Sequence, residues 1–454
     1  MISLDGDRLA SLAGAEVLAE GTDGGPTRAV IDSREVREGD LFVGLPGERA
    51  DGGEFGAAAL RDRAWGVLVS TQWGRELAAQ RKVGAALDGA GWILGAADPL
   101  ASLQSLARGW RDELDARVVG ITGSTGKTSV KDVCRAILPA KVQASPENYN
   151  TEIGLPLAVL AAPEETDVLV LEMGMRGPGQ IAELCAIAAP DVGVISNVGP
   201  VHVELLGSVE AIAAAKAEII DGLRQGGTAV VPAEPGPLEP HLERAPKLLR
   251  FGAGGDVEAT WVLAEEGETD ALVRTPEGEH AFKLPFVEAY NLDNALAAIA
   301  AGLALGYSPA EMGDRAPGIV FSRLRGELVE LPGNAILIND SYNANPISMR
   351  AALDHLATLD AGGRRLAVLG EMRELGPDAA AYHREIGKHA RERGVELIIG
   401  VGDLAEAYEP DQHVADADAA ADALAEALGP GDAVLVKGSR AVGLERVAEK
   451  LTGN

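Results

Sequence analysis

Arg117-Val118-Val119-Gly120-Ile121-Thr122 runs without a break into Gly123-Ser124-Thr125-Gly126-Lys127-Thr128. A β-branched, apolar run followed by a glycine turn and then a helix start predicts a strand, a loop and a helix that together cradle an anion. Backbone N–H groups of Gly123, Ser124, Thr125 and Gly126 can converge on a phosphate, Lys127 adds a charge, and Thr128 offers a hydroxyl to Mg²⁺. The expected ligand is a nucleoside triphosphate. The usual phosphate loop also has a glycine where this chain has Ile121, so an ordinary kinase or GTPase loop is not expected.

Outward from this loop, the pattern is α/β. Apolar runs at 167–171 and 192–196 read as buried parallel strands of the same sheet, alternating with helices. Before it, short strand patterns at 29–32, 41–43 and 66–69 indicate a small α/β domain. Asp98-Pro99 then opens a helix with Leu103, Leu106 and Trp110 on one face. After it, 257–286 alternates apolar and polar residues, as antiparallel strands appended to the sheet would. A helix over 291–305 follows, and Pro309 and Pro317 mark an expected linker. Four further apolar runs, at 335–338, 366–369, 396–399 and 433–436, predict a doubly wound Rossmann-like domain. The expected division is 1–97, 98–319 and 320–454.

With 46% hydrophobic and 24% charged residues the chain reads as globular, and no apolar run is long enough to span a bilayer. The first seven residues lack the pattern of an export signal, and Cys134 and Cys185 are too few for a disulfide framework. A cytoplasmic monomer is expected. A net charge of −29 argues against nucleic acid or an anionic membrane as partner. Only ten of the 40 basic residues are lysines. Lys127, Lys216 and Lys437 therefore stand out as places where an amine is wanted.

Several strand ends carry polar groups where open α/β sheets bind ligands. Glu172 closes the run ending at Leu171 and is placed as a Mg²⁺ carboxylate. His202, in a Gly-Pro loop, can ligate a second cation or simply face solvent. Lys216 lies among alanines on a helix, so close packing would lower its pKa and leave a reactive amine. Asn291 and Asn294 share a helix face and can read a base edge, although Asn291 also suits a helix cap. Asp340 can bond a ribose and Tyr342 can stack on a base.

Together these residues resemble the Mur ligase family of ATP-dependent amide ligases in peptidoglycan synthesis. The resemblance rests on the off-register phosphate loop, 171–175, 197–202, 215–218 and 340–346, in that order along the chain. Within the family it is strongest to the member that joins D-alanyl-D-alanine to UDP-N-acetylmuramoyl-tripeptide, carried by 32–34, 39–43, 340–346 and 370–376 with His383. It implies that Lys127 and Thr128 meet the phosphates, that Thr128, Glu172, His202 and a CO₂-carbamoylated Lys216 hold two Mg²⁺ ions, and that Asn291, Asn294, Arg325, Asp340 and Tyr342 contact ATP. Ser33 and Arg34 would contact the UDP substrate. An acyl phosphate on the tripeptide would be attacked by the dipeptide amine, with closure of the third domain about 316–321 excluding water. A sister ligase adding a single amino acid, or an ATP-binding regulator without ligase chemistry, are the alternatives.

Overall fold

The computed structural model describes residues 4–82, 91–146, 148–201, 203–265, 267–360 and 362–452. The strand Arg117–Thr122 lies inside a six-stranded parallel sheet, between Val192–Ile195 and Val168–Glu172. Thr228–Pro232 and Lys247–Phe251 extend it on one side and Val142–Ala144 on the other. Side chains alternate across it. Val118, Leu169 and Leu171 join a core on one face, and Val119, Ile121, Val168 and Val170 join the core on the other. Two covered faces explain why these strands read as continuous apolar runs.

Ahead of it stands a five-stranded sheet in the order Glu16–Ala19, Trp92–Ala96, Gly66–Ser70, Leu41–Val43, Ala29–Val30, antiparallel only at its first pair. Asp98 caps the helix Pro99–Glu113 by accepting from Leu100 N–H and Ala101 N–H. Leu103, Leu106 and Trp110 of that helix share one hydrophobic core with Leu9 of the helix Gly6–Ala13, Leu41 of the first sheet and Leu171 of the second. The helix therefore mortars the first two sheets together.

Glu258–Glu265, Glu268–Thr275 and Gly278–Leu284 form the expected antiparallel strands, but as a separate three-stranded sheet, joined to the large one by a bridge between Phe251 and Val257. The linker expected around Pro309 is instead the start of a helix, Pro309–Arg315. Proline suits the first helical turn because its missing N–H has no partner to lose there. Met312 of this helix is buried. The crossing to the last sheet is correspondingly short, after the 3₁₀ turn Ala316–Gly318.

The last sheet runs Glu327–Leu331, Ala335–Asn339, Ala433–Lys437, Arg365–Gly370, Val395–Val401, Gln412–Val414. All neighbours are parallel except the first pair. Helices Pro346–Thr358 and Ala379–Glu392 cover one face, Ala417–Ala427 and Glu445–Thr452 the other. Two edge strands, Glu327–Leu331 and Gln412–Val414, are short, half exposed and interrupted by polar residues, so no continuous apolar run announces them. Asp340, Glu371 and Gly438 all follow carboxyl ends of adjacent parallel strands, where the strand order switches direction.

Candidate active site

Gly126 caps the helix Lys127–Ile137 at φ 78°, a left-handed conformation that glycine adopts without strain. A Cβ there would lie 2.4 Å from Asn294 Oδ1, and one on Gly123 would lie 1.9 Å from Ser196 Oγ. The glycines thus let the loop press against two neighbouring segments. Ser196 and Asn197, at the end of the next strand, brace it. Asn197 Oδ1 accepts from Thr125 N–H at 2.9 Å, and Asn197 O accepts from Ser124 N–H at 3.1 Å. Asn197 Nδ2 donates to Thr125 Oγ1, and Ser196 Oγ donates to Thr125 O. The sequence assigns neither residue a role of its own, because that role exists only once the strands are side by side.

Lys127 Nζ donates to Gly123 O at 2.8 Å, folded over its own loop. Burial holds its pKa below 10.5, opposed by Glu172 and reinforced by Arg325. Thr128 Oγ1 donates to Glu172 Oε2 at 3.1 Å, while Glu172 Oε1 is buried without a hydrogen-bond partner. A hard cation fits here: an orphaned carboxylate oxygen and a hydroxyl are oxygen donors of the kind Mg²⁺ takes. Among the described residues no three His, Cys, Asp or Glu side chains converge. Mg²⁺ commonly uses one or two protein carboxylates plus substrate phosphates. Lys216 is buried on the helix Val209–Asp221, among Ala213, Ala215 and Ala217. Desolvation drives its pKa well down, and the charge of Lys127 adds to the effect.

Facing this set is the third domain, and between them lies a cavity of about 890 Å³ lined by Lys127, Thr128, Glu172, Lys216, Asn294, Arg325, Asp340 and Tyr342. Arg325 stacks its guanidinium 4.0 Å from the Tyr342 ring centre. Lys437 is buried behind Asp340, donating to Asp340 Oδ2 at 2.6 Å and to Asn343 O at 2.8 Å. The two domains are in contact around the rim. Tyr342 OH donates to Asn148 Oδ1, Arg176 pairs with Glu374, and His355 lies 3.4 Å from Glu288.

Eight residues expected at an ATP site from scattered parts of the sequence therefore line one cleft. Asn291 does not: it is buried behind the wall, where its Oδ1 accepts from Asn294 Nδ2 at 3.2 Å and its Nδ2 donates to Glu288. Only Asn294 of that pair faces the cavity. Ser33 and Arg34 lie apart from it, on the 3₁₀ turn Ser33–Glu35 of the first domain. Arg34 is spent on Asp32, whose carboxyl its hydrogen bonds hold down to about 2. His202 falls outside the described residues.

In the third domain the segment after Gly370 is pinned by His383. Its Nε2 accepts from Met372 N–H at 2.9 Å, its Nδ1 donates to Ala379 O at 2.6 Å, and its ring packs on Tyr408. Burial holds its pKa below 6.5, so the folded domain keeps it neutral. As pH falls through about 6.5 the unfolded chain takes up the proton first, and stability is lost. We expect the melting temperature of native protein to fall more steeply between about pH 7 and about pH 5 than that of His383→Gln. Parallel slopes would contradict this.

Comparison with known proteins agrees with this geometry. The family described as "Mur ligase middle domain" matches residues 121–302, and "Mur ligase, glutamate ligase domain" matches 324–440. The UDP-N-acetylmuramoyl-tripeptide–D-alanyl-D-alanine ligase of Bacillus subtilis is 34% identical over 92% of each chain. That of Escherichia coli is 31% identical over 100% of this chain and 99% of its own. Among solved structures, MurF from Acinetobacter baumannii superposes with a TM-score of 0.87 over 100% of both chains at 27% identity. MurF ligase from Thermotoga maritima, solved in complex with ADP, gives 0.80 at 32% identity, covering 94% of this chain and 97% of its own.

Proposed function

The chain belongs to the Mur ligase family, and on that footing we propose that it joins D-alanyl-D-alanine to UDP-N-acetylmuramoyl-tripeptide, converting ATP to ADP and phosphate. The observation that carries the reading is the single cleft in which the phosphate loop, Glu172 and Lys216 of one domain face Arg325, Asp340 and Tyr342 of another. Such a cleft can gather a triphosphate and a carboxylate and then exclude water.

The chemistry follows from what these groups can do. Lys127 would leave Gly123 O for the β- and γ-phosphates, neutralising charge as the tripeptide carboxylate attacks the γ-phosphorus. Thr128 and Glu172, with His202, would hold Mg²⁺, which supplies further charge neutralisation when bound. Lys216, whose lowered pKa favours the neutral amine, would add CO₂ at Nζ, lose a proton to solvent and so present a carbamate anion in place of a neutral amine. Asn294, Arg325, Asp340 and Tyr342 would grip the nucleotide, and Ser33 and Arg34 the UDP group, once Arg34 exchanges Asp32 for a phosphate. The resulting acyl phosphate is attacked by the dipeptide amine, forming the amide C–N bond and releasing phosphate.

The reading includes a cytoplasmic monomer. Cys134 and Cys185 are buried thiols whose pKa desolvation pushes up to about 12, which suits a reducing compartment. The test is mass analysis of the nucleotide product after incubation with ATP, UDP-N-acetylmuramoyl-tripeptide and either D-alanyl-D-alanine or single amino acids. A UDP-pentapeptide with the dipeptide alone is expected. Product formed only with a single amino acid would overturn the substrate assignment.

A further inference from the structure

One charged cluster touches this site without belonging to it. Lys131 and Asp132, one turn beyond the phosphate loop, have side chains only 4% and 1% exposed. The lysine Nζ lies 3.3 Å from Asp132 Oδ1 and 3.6 Å from Glu172 Oε1, and donates to Ser145 O at 3.3 Å. Ser145 Oγ in turn accepts from Glu172 N–H at 3.2 Å. On its other side Asp132 Oδ2 accepts from Ser322 N–H at 2.8 Å. Ser322 belongs to the crossing between the turn Ala316–Gly318 and the strand Glu327–Leu331, where the chain passes into the third domain.

We infer that Lys131 and Asp132 are positioning residues that couple cation binding at Glu172 to the setting of the interdomain crossing at Ser322. The inference rests on the reading of the cleft as a Mg²⁺–nucleotide site. Two buried carboxylates share one ammonium, and the atoms facing it, Glu172 Oε1 and Asp132 Oδ1, have no hydrogen-bond partner of their own. A buried charge without full compensation is costly, so Lys131 serves each carboxylate at the expense of the other. When Glu172 is engaged by a cation its claim on Lys131 weakens. Lys131 then turns to Asp132 and fixes the carboxylate that holds Ser322 N–H. By linkage, a crossing already set at Ser322 favours cation binding by the same factor. A surface or purely packing role would not need the pair to be charged, adjacent to Glu172 and bonded to the crossing at once.

The experiment is amide hydrogen exchange on the peptide spanning 319–326 in full-length protein, with a non-hydrolysable ATP analogue, in the presence and absence of Mg²⁺. In the native protein Mg²⁺ should slow exchange of this peptide by about fivefold or more beyond the analogue alone. Asp132→Asn keeps an oxygen for Ser322 N–H and the shape of the side chain, but removes the charge facing Lys131. We expect it to bind the Mg²⁺ analogue within about threefold of native affinity by calorimetry, and to lose the Mg²⁺-dependent slowing. Lys131→Met, which cuts the same link from the other side, should lose it too. Asp132→Asn responding like the native protein would overturn the coupling, as would loss of analogue binding in that variant. Failure of the native protein to bind the Mg²⁺ analogue would instead overturn the nucleotide reading on which the coupling rests.

Discussion

Lys127→Ala lowers dipeptide-dependent phosphate release by about a thousandfold, with the loss in kcat. Lys127 sits in a desolvated place, its amine held over the mouth of the phosphate loop by Gly123 O. Charge interactions in such a place are far stronger than in water, and the ammonium meets charge that gathers as the γ-phosphoryl group transfers. The loop itself is braced by Ser196 and Asn197, not by the lysine, so the cradle should keep its shape and nucleotide affinity should fall much less than turnover. Steady-state kinetics with calorimetric titration of ADP would check this. Equal losses in affinity and kcat/KM, with kcat unchanged, would make Lys127 a binding residue only.

Lys216→Arg should be as damaging as Lys216→Ala, each costing about a hundredfold or more in turnover. The expectation distinguishes a carbamate from a cation. Were the positive charge of Lys216 the useful property, arginine would restore most of it. The site says otherwise, since burial and the nearby charge of Lys127 both favour a neutral amine, and a neutral amine is the form that captures CO₂. Because the pKa is lowered, the amine stays competent at pH values where an ordinary lysine, at 10.5, is almost wholly protonated. Activity of the native protein should therefore fall when CO₂ and bicarbonate are stripped and return when bicarbonate is added, near neutral pH. Full activity in Lys216→Arg, or indifference to bicarbonate, would remove the carbamate from the mechanism.

How much of this could be read beforehand depends on where each signal resides. Gly126, Lys127 and Thr128 were legible because a local conformation demands them: a left-handed residue, then a helix start. Glu172 and Asp340 were legible because a carboxylate ending an apolar run must sit at the carboxyl edge of a sheet. Lys216 was legible from its alanine neighbours, which leave a long side chain little water. Asn291 was placed beside Asn294 because two asparagines three apart share a helix face in any context; the packing of Glu288 beside them, which turns Asn291 inward, is not a local signal. Ser196, Asn197 and the pair Lys131–Asp132 act through contacts between segments far apart in the chain, which no local pattern records. The helix Pro309–Arg315 was taken for linker because proline breaks a helix at most positions yet opens one at the first.

The central claim is that ATP activates the tripeptide carboxylate before the dipeptide amine attacks. It is tested most directly by enriching the terminal carboxylate of UDP-N-acetylmuramoyl-tripeptide with a heavy oxygen isotope and analysing the phosphate released during ligation. Passage through an acyl phosphate moves one carboxylate oxygen into each phosphate, so labelled phosphate should appear in step with the UDP-pentapeptide. Unlabelled phosphate formed alongside the UDP-pentapeptide, with the heavy oxygen lost from the carboxylate appearing in water instead, would contradict it.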